Sequence, residues 1–82
     1  MKAERLLHSD ALTAVAFDNE TWVYWDDDSP LMIAFPNETP VPYESGVREI
    51  DALLSHPTAL YSLPSEALTV EQEQRVREIL GC

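Results

Sequence analysis

Glycine is scarce in this 82-residue sequence, where only Gly46 and Gly81 occur. Two glycines so far apart cannot build a glycine-rich phosphate cradle or a G-x-S-x-G nucleophile elbow. Cysteine is scarcer: Cys82 is the only thiol, so no internal disulfide can form. No apolar run approaches the ~20 residues that a membrane span needs. The opening "MKAERLLHSD" has too short an apolar stretch for a signal peptide. These absences predict a cytoplasmic protein with no membrane partner. Two "NET" triplets, at Asn19–Thr21 and Asn37–Thr39, match a glycosylation acceptor, but without a secretory route they read as turns.

Basic residues are missing where acids gather. Between Arg5 and Arg48 there is no lysine or arginine, and the same span holds Asp10, Asp18, Glu20, Asp26, Asp27, Asp28, Glu38 and Glu44. That stretch carries most of a net charge of -10. Such a surface repels nucleic acid and anionic membrane and favours a protein partner with a basic surface. Surplus charge also serves solubility. The 45% hydrophobic content nevertheless argues for a folded chain rather than disorder. At this length we expect one small domain over residues 1–82, with little core to spare.

Three short runs, "ALTAVAF", "TWVYW" and "LMIAF", are rich in β-branched and aromatic residues and are separated by "DNE" and "DDDSP". They predict an antiparallel three-stranded meander over about 11–35. The first run also suits a helix. The prolines of 36–45 demand a stiff connector or edge segment. A helix over 45–55 follows, capped by Ser45, carrying Val47, Ile50, Leu53 and Leu54 on one face and ended by Pro57. "TALYSL" reads as a possible short fourth strand. A second helix over 69–80 starts at a capping box, Thr69 with Gln72, and turns Val76, Ile79 and Leu80 inward. The fold class is therefore α+β, a meander followed by two α-helices.

Side chains alternate across a sheet, so the register implied by the turns sorts them. Pairing Val15 with Val23 and Val23 with Ile33 collects Val15, Phe17, Val23, Trp25, Leu31, Ile33 and Phe35 on one core face. The other face holds Trp22 and Tyr24 beside Ala14, Ala16, Met32 and Ala34. Two large rings on a floor of small side chains are either covered by a helix or connector, or left open to dock a partner.

Metal binding is disfavoured, because three consecutive carboxylates point alternately and "DDDSP" lacks the spacing and glycine of a calcium loop. Catalysis is disfavoured as well. "HSD" holds triad residue types, but contiguous residues cannot aim at one another. No cofactor is expected. The reading is a non-catalytic acidic protein-binding module, an inhibitor-like mimic of nucleic-acid charge. Its partner-binding residues would be Trp22, Tyr24, Met32, Asp18, Glu20, Asp26, Asp27 and Asp28. The alternatives are a self-associating homodimer or accessory subunit and, less favoured, a calcium or small-ligand binder.

Overall fold

The computed structural model describes residues 2–27 and 29–80. The chain is α+β. Six strands form one sheet: β1 (Ala3–His8), β2 (Leu12–Phe17), β3 (Trp22–Asp26), β4 (Ser29–Ala34), β5 (Val41–Pro42) and β6 (Ser65–Ala67). Their spatial order is β5-β4-β3-β2-β1-β6. Helices α1 (Arg48–Ser55) and α2 (Pro57–Tyr61) precede β6, and α3 (Val70–Leu80) follows it.

The expected meander is present as β2, β3 and β4, paired antiparallel with Val15 opposite Val23 and Val23 opposite Ile33. Three expectations about the elements need correction. A strand precedes the meander, because "RLLH" pairs its backbone with β2 on one side and, in parallel, with β6 on the other. "TALYSL" is not a strand: Pro57 does not merely end α1 but opens α2, at a helix start where its missing N–H costs nothing. The loop after β3 is tighter than a five-residue turn, since Asp26 pairs with Ser29 and the register slips between Tyr24 and Asp26. Pro30 falls in the irregular part, where a residue with no N–H can be accommodated.

Helices cover both faces of the sheet. On one face Leu6, Val15, Phe17, Val23 and Ile33 pack with Ile50 of α1 and Leu60 of α2. Trp25 and Leu31 join them partly buried. Phe35 does not belong to that core as expected; β4 ends at Ala34 and Phe35 is 37% exposed. On the other face Leu7, Leu12, Ala14, Tyr24 and Ala34 pack with Val76 and Leu80 of α3.

The capping box of α3 forms as predicted. The Gln72 N–H donates to Thr69 Oγ1 at 3.2 Å and the Thr69 N–H to Gln72 Oε1 at 2.9 Å. Ile79 departs from prediction: Val76 and Leu80, four residues apart, make the buried stripe, while Ile79 is 69% exposed. A polar seam also fastens α3. Arg77 lies 3.1 Å from Asp26 on β3 and 3.6 Å from Glu73 one helical turn back, and the Ser9 hydroxyl donates to Glu73.

At α1 the expected Ser45 cap is absent; the residue before the helix is Val47, without a side-chain cap bond. Tyr43 and Asp51 take over that role. Val47 N–H donates to the Tyr43 hydroxyl at 3.1 Å, the hydroxyl donates to Asp51 Oδ1 at 2.5 Å, and Gly46 N–H donates to Asp51 Oδ2 at 3.1 Å. Gly46 stands at φ 118°, where a side chain would be strained. The Tyr43 hydrogen bond, helped by Gly46, lowers the Asp51 carboxyl below its ordinary value. A lowered carboxylate stabilises the fold above its unfolded value, and that contribution disappears as pH falls through the folded one. Asp51→Asn should therefore lower Tm at neutral pH, with the difference from the parent closing as pH drops below ~4. Thermal melts across pH 2–7 measure this.

Candidate functional site

Trp22 lies in a row of directly opposed residues that crosses four strands. Arg5 on β1 faces Ala16 on β2, Ala16 faces Trp22 on β3, and Trp22 faces Ala34 on β4. Small alanine side chains thus flank the ring on both neighbouring strands. The C-terminal end of α3 walls the space beside it with Ile79 and Leu80, and Phe35 to Pro40 form the other wall. The result is an open groove of about 830 Å³. Trp22 itself is half-buried.

Two turns and a bulge bring carboxylates to its rim. In the first turn Phe17 N–H donates to Thr21 O at 2.9 Å and Glu20 N–H to Phe17 O at 3.2 Å. Glu20 takes φ 64°, the left-handed position that closes a three-residue hairpin loop and normally holds glycine. In the second turn Glu38 N–H donates to Phe35 O at 3.1 Å across Pro36 and Asn37, with Asn37 at φ 61°. Proline followed by a left-handed asparagine is the requirement of a type II turn. The third acid is Glu4, at the register slip between Ala3 and Arg5 on β1, where a bulge can re-aim a side chain. Glu4, Glu20 and Glu38 all line the groove, and so does Arg5. Arg5 lies 3.9 Å from Glu66 with both side chains about half exposed, so its charge is partly answered within the chain.

The other sequence-predicted residues lie elsewhere. Tyr24 is 4% exposed, packed in the cluster under α3, and a partner cannot reach it while that helix is docked. Met32, paired across from Tyr24, is partly buried against the same cluster. Asp18 is exposed at the first turn and accepts the backbone N–H of Lys2 at 2.9 Å. Asp26 is committed to Arg77, and Asp27 is exposed at the far end of β3. Asp28 lies outside the described residues. Of the predicted set, the groove thus brings together Trp22 and Glu20 alone. Sequence reasoning missed Phe35, Ile79, Glu38 and Glu4. The available signal was "FPNE", whose turn chemistry carries Phe35 off the strand and Glu38 toward Trp22.

Among the described residues no group of three or more His, Cys, Asp and Glu side chains could hold a metal ion. No described helix is long and apolar enough to cross a membrane. No family model, curated protein or solved structure matches this chain.

Proposed function

We propose that this protein is a non-catalytic binding module that docks a basic surface of a partner protein through the Trp22 groove. The observation that carries the reading is the placement of a half-buried tryptophan on a groove rimmed by Glu4, Glu20 and Glu38. Tryptophan is enriched among residues that dominate interface energy, and rim carboxylates steer a cationic partner into place. The wider charge of -10 extends the same preference beyond the groove. A partner surface that normally holds nucleic acid has the required sign, so occupancy of it would inhibit by competition. The acidic set is revised accordingly, because Asp26 serves the α3 seam and Glu4, Glu20 and Glu38 stand where a partner would meet them.

The test is capture from lysate with the tagged protein at low and high salt, with Trp22→Ala as a parallel bait. A basic protein should be retained at low salt and lost at high salt. Losing the indole should weaken its binding by about 30-fold, the equivalent of ~2 kcal/mol for a central anchor. Equal retention by Trp22→Ala, or retention of no basic protein, rejects this reading.

A further inference from the structure

Resting on that docking function, we infer that the groove receives a short segment of the partner, an apolar side chain flanked by lysine or arginine, rather than a flat folded surface. Shape supports this first. The hollow is concave between two unlike walls, Ile79 on α3 and the turn through Pro36, with Trp22 between them. A flat surface would bridge the walls and leave the hollow unfilled, whereas a protruding segment fills it.

The distribution of chemistry supports it next. Apolar side chains line the groove, and the carboxylates Glu4, Glu20 and Glu38 come from three separate chain segments. An apolar residue of the segment would meet Trp22 and Ile79 while its basic neighbours reach the rim. Acidic or phosphorylated segments would be repelled by the same carboxylates. Arg5, the cation in the lining, already faces Glu66.

Glu20 takes its φ of 64° because it closes the three-residue hairpin loop, and that turn sets its carboxylate on the groove.

The experiment is selection of a random dodecapeptide phage library on the immobilised protein, with Ile79→Ser as the counter-selection surface. Enriched peptides are then synthesised and titrated by fluorescence anisotropy. The expected winners carry lysine or arginine around an apolar residue. Their affinity should fall at least ~10-fold on Ile79→Ser, which removes an exposed apolar side chain without adding charge. Glu20→Gly should weaken binding by a few-fold, as loss of a rim charge does. The same variant should raise Tm by about 4 °C, because it relieves the left-handed position. A purely structural Glu20 would give the rise without the weakening, which overturns its assignment to binding.

Failure to enrich basic peptides, or equal binding to Ile79→Ser, overturns the segment inference. If a basic folded protein is still captured in a Trp22-dependent way, docking stands and only the segment is lost. If neither is seen, both fall. A concentration-dependent dimer abolished by Ile79→Ser would assign the groove to a second copy of this chain, and that also overturns the inference.

Discussion

Tyr24→Ala is expected to lower stability by about 3–5 kcal/mol, the range for removing a large buried ring from a core. Tyr24 is 4% exposed and packs with Leu7, Leu12, Ala14, Val76 and Leu80, so truncation opens a cavity between the sheet and α3. A domain of this size starts with only ~5–15 kcal/mol, and a Tm fall of well over 10 °C should follow. Trp22→Ala should cost clearly less, because the indole is half-buried at a groove and not sealed under the helix. The two aromatics are neighbours but one in sequence, and their places divide: Tyr24 packs under α3, and Trp22 lines the groove. Chemical denaturation of both variants, compared at equal m-value, measures the difference. Equal losses from the two would contradict the division.

Ile50→Ala is the corresponding experiment on the other face, with an expected loss of about 2–4 kcal/mol. Ile50 is 1% exposed and is the fully buried side chain by which α1 meets Val15, Phe17, Val23 and Ile33. An eight-residue helix has little stability of its own, so its docking depends on such a contact. Urea unfolding should show a lowered midpoint with α1 loosened first in hydrogen exchange. Trp22 and Ile79 lie on the opposite face, so the affinity of any groove-binding peptide, measured below the unfolding midpoint, should change little, with Phe17 the one side chain shared between groove and this core.

The pattern of 2 that sorted Val15, Val23 and Ile33 from Ala14, Tyr24 and Met32 was legible because turns of known length fix register, and register fixes face. Short polar loops such as "DNE" carry that information locally. The capping box at Thr69 and Gln72 was legible for the same reason: both partners lie within four residues. What could not be read were pairings between distant segments. "RLLH" looks unremarkable until β2 and β6 lie on either side of it, and β6 is three residues whose only strand signal is its neighbour. "PTALY" has β-branched and aromatic residues, yet the proline at its start and its place over the sheet make it a helix. Position beat propensity there, as it commonly does in short segments.

The groove was half legible. Trp22 stood out because of the alanines beside it, and the same alanines line the groove. Asp26 looked like part of an acidic rim because its partner, Arg77, is 51 residues away. Ile79 looked inward-facing because a helical stripe of Val76, Ile79 and Leu80 fits either of two rotations; docking chose the one that buries Val76 and Leu80. Charge counting could find the acids but not which of them line the groove.

The most direct test of the docking account is ¹⁹F NMR of the protein labelled with 5-fluorotryptophan, with Trp25→Phe used to assign the two resonances. Unlabelled basic partner, isolated by capture, is titrated in. The Trp22 resonance should shift on complex formation while that of Trp25, packed on the α1 side of the sheet, stays in place. A complex that moves Trp25 alone, or leaves both resonances where they were, would contradict that account.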